Sequence, residues 1–124
     1  MFYVVRKYFV QYRRYANTTQ RYKIFQYNII KKLKKEGIEK FLKRNPATCF
    51  VAEEDSKIVG VIMAGNDGRR GYIYHTAVLP EFRGKHVAKT LVENAMAALE
   101  KEGITKVALV VFEKNKNGKT FVFL

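Results

Sequence analysis

Arg83, Gly84, Lys85 and His86 stand where a strand-like run gives way to an amphipathic helix, and that combination suits one kind of chemistry, the holding of an anion. The first amides of a helix have no acceptor within it, and the helix dipole is positive at that end, so phosphate is attracted there. Arg83 and Lys85 add cations of the kind that strengthen amide hydrogen bonds to a diphosphate. The pattern therefore speaks of a phosphate-bearing ligand more clearly than of any group that is acted upon.

Several elements must position these residues. A β-rich run, Gly71 to Leu79, breaks at Pro80. The helix that follows carries Ala88, Leu91, Val92, Ala95, Met96 and Leu99 as one apolar stripe, with Lys89 and Glu93 placed to pair on the wet side. Gly103 stands where a left-handed cap would end that helix, and Thr105 to Phe112 is a nearly continuous apolar strand, as expected when both faces are covered. Strand, crossover helix and strand in that order predict a right-handed parallel unit. Upstream, Thr48 to Glu54 and Lys57 to Ala64 form a hairpin about Asp55-Ser56, and Asn66-Asp67-Gly68 is a further turn, so an antiparallel meander precedes the parallel unit. Tyr22 to Leu33 and then Ile38, Phe41 and Leu42 recur at helical spacing, with Gly37 as the expected break and Pro46 as the stop. The first ten residues read as a strand and Gln11 to Gln20 as a loop.

Composition narrows the field. The chain of 124 residues, 48% hydrophobic, is the size of one domain. A single cysteine, Cys49, excludes an internal disulfide and every multi-cysteine metal site; it reads as a small buried strand residue in a reducing, cytoplasmic setting. No apolar run is long enough for a membrane span, and Arg6 and Lys7 interrupt the start too early for a secretory signal. The net charge of +13 is concentrated: residues 1–45 hold 13 Lys and Arg against Glu36 and Glu39, while the remainder carries only +2. Tyr3, Tyr8, Tyr12, Tyr15, Tyr22 and Tyr27 interleave with those cations, a pattern that could stack on bases and track phosphates. A nucleic-acid-binding module is thus an alternative function, its bland counterpart being a solvated helix face.

A strand-to-helix phosphate cradle can serve nucleotides or coenzyme A. Neither G-x-x-x-x-G-K-[ST] nor G-x-G-x-x-G is present, and no acidic residue follows at the spacing that takes a ribose. What stands at Val78 to Ala88 is V-L-P-E-F-R-G-K-H-V-A, and with the hairpin FVAEEDSKIVGVIMAG before it and V-x-x-x-N at Val111 to Asn115 after it, the chain resembles the GNAT superfamily of acyl-CoA-dependent N-acyltransferases. Arg83 and Ala88 match the first and last positions of that family's [QR]-x-x-G-x-[GA] signature. The likeness covers roughly residues 38 to 121 and looks most like small bacterial members of the YpeA-like type.

The resemblance implies an α+β, three-layer GNAT-like fold, a mixed and mostly antiparallel sheet with a central parallel strand pair flanked by helices. It implies one acetyl-CoA-binding domain over residues 1–124, made of a basic divergent segment 1–45 and a coenzyme-binding core 46–124. Backbone groups of Thr76, Ala77 and Val78 would bond the pantetheine arm, Arg83, Gly84, Lys85, His86, Val87 and Ala88 would surround the diphosphate, and Asn115 would lie near the thiol end. The acceptor would be an amine of a small molecule or a protein. Three departures are visible. His86 replaces the signature's central glycine and would crowd the phosphate oxygens unless its side chain swings aside. On the central strand, where some relatives carry a glutamate base, this chain has Tyr72, Tyr74 and His75, and Tyr74 or His75 acting through water is the candidate acid or base. The tyrosine- and lysine-rich start and the missing last strands would leave an open sheet edge, which predicts either a shortened, catalytically impaired coenzyme-binding relative or a homodimer whose second subunit covers the gap. Arg69 and Arg70 are placed either on a ribose phosphate of the coenzyme or in a solvated turn.

Overall fold

The computed structural model describes residues 3–7, 35–55 and 57–109. Among these, five strands form one sheet in the order of the chain: β1 (Val4–Lys7), β2 (Phe50–Glu54), β3 (Lys57–Asn66), β4 (Gly71–Val78) and β5 (Val107–Leu109). The helices are α1 (Lys35–Arg44) and α2 (Val87–Lys101), with a short 3₁₀ turn, Pro80–Phe82, leading into the second. Strands β1 to β4 are antiparallel neighbours, and β5 joins β4 in parallel, pairing Val107, Ala108 and Leu109 with Gly71, Tyr72 and Ile73. The expected mixed, mostly antiparallel α+β sheet is present, with β5 its outermost described strand.

Every residue of β3 from Ile58 to Gly65 is buried, which requires cover on both faces of the sheet. The glycines show what supplies it. A Cβ on Gly60 would lie 2.9 Å from Val87 Cγ1 and 3.1 Å from Leu91 Cδ1, and one on Gly71 would lie 2.9 Å from Leu99 Cδ1. Helix α2 is therefore laid directly on the sheet, burying Val87, Leu91, Ala95 and Leu99 at one-turn spacing. Gly65 stands an odd number of residues from Gly60 and so faces the other way, where a Cβ would meet Asn45 Oδ1 at 2.7 Å. Asn45 ends α1, its side-chain and backbone nitrogens both donating to Phe41 O, and α1 buries Ile38 and Leu42 on this second face. A helix on each side of the sheet makes three layers.

Most element boundaries follow the sequence pattern, with informative shifts. Gly37 lies inside α1 and does not break it. The apolar run before it, Tyr22 to Leu33, lies outside the described residues, as do the expected loop at 11–20 and the strand residues beyond Leu109. Strand β2 starts at Phe50 and not at Thr48, because Thr48 Oγ1 (2.6 Å) and Cys49 Sγ (3.3 Å) both donate to the carbonyl of Ala64. Cys49 is fully buried, and burial pushes its thiol up to about 12. Gly103, at φ 82°, ends α2 in the left-handed region, with its amide on Glu100 O and that of Ile104 on Leu99 O. Lys89 and Glu93 meet at 4.0 Å on the exposed side of α2. No helix among the described residues is long and apolar enough to cross a membrane.

The close seat of α2 on Gly60 predicts that Gly60→Ala, by forcing Val87 and Leu91 away from the sheet, lowers unfolding free energy by about 1–3 kcal/mol in urea denaturation.

Candidate functional site

The site is built where β4 hands the chain to α2. Pro80 forces a turn, Phe82 tucks into the core, and the chain then rises through Arg83, Gly84, Lys85 and His86 into the helix. Gly84 (φ 76°) and His86 (φ 64°, ψ 16°) are both left-handed. Alternating handedness of this kind turns successive amides toward one concave side, the geometry of a backbone anion nest. The amides of Gly84, Lys85, His86, Val87, Ala88 and Lys89 donate to no acceptor among the described residues; the first bond of the helix is Thr90 N to His86 O at 3.0 Å. His86 has no side-chain capping bond, and Gly84, Lys85 and His86 are exposed, within reach of solvent or a ligand.

The cations sit around this turn. Arg83 Nε donates to the carbonyl of Val78 at 3.2 Å and braces the loop against the end of β4. Lys85 Nζ lies 6.0 Å from the centre of the Phe82 ring, at the outer limit of a cation–π contact. Both side chains are exposed. Arg69 and Arg70, in contrast, occupy the β3–β4 turn at the other end of β4, roughly 25 Å of strand away. They are exposed in a turn of their own, apart from the Gly84–His86 turn. Their amides donate to the carboxylate of Asp67 at 2.9 and 2.8 Å, and these bonds, Arg70's first, hold the Asp67 carboxyl below the usual range.

Strand β4 carries a second group of candidates, and its register explains how they come together. Met63 pairs with His75 and Ala64 with Ile73, leaving Tyr74 as the extra residue of a β-bulge. His75 thereby joins the face of Met63, the α1 side of the sheet. The Tyr74 ring is on that side too, edge-on to Phe41 of α1 at 5.4 Å and tilted against Tyr72 at 5.9 Å. Without the bulge, strict alternation would send Tyr74 and His75 to opposite faces. Tyr74 is 38% exposed. His75 is half-buried, its Nδ1 has no hydrogen-bond partner among the described residues, and burial lowers its pKa from the ordinary 6.5. Thr76 Oγ1 is likewise buried without a described partner. Thr76, Ala77 and Val78 lie past Ile73↔Leu109, the last described pair of the β4–β5 ladder. Since Leu79 N bonds to Val59 O on β3, alternation points the backbone groups of Val78 and Thr76 away from β3, toward the side on which β5 lies. Asn115 lies outside the described residues.

Two residues that sequence reasoning assigned elsewhere or passed over belong to the turn. Tyr3, read as a base-stacking tyrosine, places its hydroxyl 2.9 Å from Thr90 Oγ1 and 3.3 Å from His86 O. Thr90 Oγ1 donates to the same carbonyl at 2.9 Å. A threonine four residues after a helix cap is a recognisable back-bonding position, but nothing local marks Tyr3, whose partners are 83 and 87 residues away. Among the described residues no group of His, Cys, Asp and Glu could hold a metal ion.

The acetyltransferase (GNAT) family model matches residues 6–121, nearly the whole chain. The chain belongs to that family. The match begins well before residue 38, so the divergent segment is part of the GNAT unit to a greater extent than its composition suggests. An acetyltransferase of Photorhabdus laumondii is 41% identical over 78 residues, 63% of this chain and 54% of its own length; one of Pectobacterium atrosepticum is 40% identical over 63% of this chain and 55% of its own. The chain thus spans about half the length of the curated relatives it matches. In fold it is similar to Ard1 from Thermoplasma volcanium (TM-score 0.79, 18% identity, 94% of this chain and 76% of that one). It is also similar to the PaiA N-acetyltransferase from Thermoplasma acidophilum in complex with coenzyme A (TM-score 0.67, 20% identity, 97% and 86%).

The left-handed backbone at His86 has a measurable cost, because a side chain there clashes where glycine would not. His86→Gly is expected to raise unfolding free energy by about 0.5–1 kcal/mol, and His86→Val, β-branched and least tolerant of positive φ, to lower it by about 1–2 kcal/mol, both read by chemical denaturation.

Proposed function

We propose that this GNAT chain is an acetyl-CoA-dependent N-acetyltransferase acting on a primary amine, and that residues 1–124 form one domain, with core 46–124 holding the coenzyme beside the basic segment 1–45. The observation that carries this reading is the run of amides from Gly84 to Lys89 with no acceptor among the described residues, bent around two left-handed residues at the start of α2. A diphosphate offers an array of acceptors to match those donors, and Arg83 and Lys85 supply neighbouring charge. A Cβ on Gly84 would meet nothing within 4 Å, so the mouth of the turn is open to a ligand. The backbone groups of Thr76 and Val78, past the last described β4–β5 pair, suit the amide-bearing pantetheine arm, and Thr76 Oγ1 has no hydrogen-bond partner among the described residues. Asn115, outside the described residues, is proposed near the thiol from the family resemblance.

When bound, the thioester supplies an activated acetyl group. The remaining work is to position the acceptor, remove a proton from its nitrogen and support the departing sulfur. His75, its pKa lowered by burial and its Nδ1 without a partner among the described residues, is suited to accept that proton through a water molecule, and the Tyr74 hydroxyl, its ring steadied by Phe41 and Tyr72, is the nearby donor.

The test is thiol release from acetyl-CoA with a panel of primary amines, alongside calorimetry. Saturable binding and amine-dependent release are expected; an absence of binding at millimolar coenzyme would refute the assignment. His75→Gln should lower kcat by about 10²-fold. A base must be deprotonated to act, so kcat/KM of the unaltered protein falls as pH drops through the His75 pKa, below 6.5, and that acid limb is absent from His75→Gln. An unchanged limb in the variant would remove His75 from the mechanism.

A further inference from the structure

Three polar groups gather at one carbonyl. His86 O accepts Thr90 N at 3.0 Å and Thr90 Oγ1 at 2.9 Å, and the Tyr3 hydroxyl lies 3.3 Å from it and 2.9 Å from Thr90 Oγ1. A phenol has one proton, and the shorter contact is to Thr90, so the bonds run in sequence from Tyr3 O–H to Thr90 Oγ1 and from Thr90 O–H to His86 O. That carbonyl belongs to the same peptide plane as the amide of Val87, one of the donors left without an acceptor at the turn. Pinning the oxygen fixes the direction of the N–H on the opposite side of the plane. The Thr90 hydroxyl, strengthened as a donor by accepting from Tyr3, also polarises the amide and makes its N–H a stronger donor.

We propose that Tyr3 and Thr90 are positioning residues for the coenzyme diphosphate, acting through the His86–Val87 peptide: they hold His86 in its left-handed conformation and sharpen the Val87 amide. The inference rests on the coenzyme reading of the turn and deepens it, because it ties β1, at the far end of the sheet from β5, to the binding loop. It also gives Tyr3 a purpose unconnected with nucleic acid. The two hydroxyls act through the His86 carbonyl, so their effect lies in affinity and not in the chemical step.

The experiment compares Tyr3→Phe, Thr90→Val and Thr90→Ser with the unaltered protein, by calorimetry with coenzyme A and by the amide proton and nitrogen shifts of Val87 without ligand. Tyr3→Phe and Thr90→Val should each weaken coenzyme binding roughly three- to tenfold, with kcat unchanged. The double variant should be little worse than Thr90→Val alone, since Tyr3 acts through Thr90, and Thr90→Ser, which keeps the hydroxyl, should bind normally. The Val87 amide proton should move upfield in both hydroxyl deletions. Loss of thermal stability with affinity and the Val87 shift unchanged would reduce both residues to a structural role and overturn the proposal. If the unaltered protein does not bind coenzyme A, it is the coenzyme reading that fails, and the ligand-free Val87 shift still decides whether the relay exists.

Discussion

A helix that begins a few residues after a strand leaves its leading amides without partners, and everything notable about this chain follows from where those amides are held. Buried, they would destabilise the fold. Here Gly84, Lys85 and His86 are exposed, and the run is fixed in direction, because α2 cannot drift: Gly60 and Gly71 let it lie against the sheet at side-chain contact along its length. The turn in front of it is equally constrained, with Phe82 in the core, Arg83 on the Val78 carbonyl, and Tyr3 with Thr90 on the His86 carbonyl. A donor array kept rigid before its ligand arrives loses little entropy on binding.

Strand β4 links this array to the candidate chemistry. Its first residues pair with β5, and its last lead into the turn. Between them the bulge at Tyr74 brings Tyr74 and His75 onto the α1 face, while Ile73 stays under α2. One irregular residue therefore lets a single strand present backbone groups along its edge and ionisable side chains on the face away from the helix that carries the amides.

The sequence revealed what depends on local pattern. The stripe Leu91, Ala95, Leu99, the cap at Gly103 and the hairpin at Asp55 were legible because periodicity and turn chemistry act over a few residues. The turn before α2 was legible for the same reason, as glycine and cations ahead of a helix. Gly37 misled because tertiary packing of Ile38 and Leu42 outweighs a glycine's cost in a helix. Arg69 and Arg70 were ambiguous because the length of β4, and hence their distance from the turn, comes from the fold. The bulge and the role of Tyr3 were invisible, since each depends on which residues distant strands and helices bring into register.

The most direct test of the account is a nuclear magnetic resonance titration with acetyl-CoA that follows every assigned backbone amide. The account predicts saturating shifts centred on Gly84 to Lys89, extending along Thr76 to Val78, with the Gly68 to Arg70 turn unmoved. Shifts centred on that distant turn, or an undisturbed run from Gly84 to Lys89 at saturation, would contradict it.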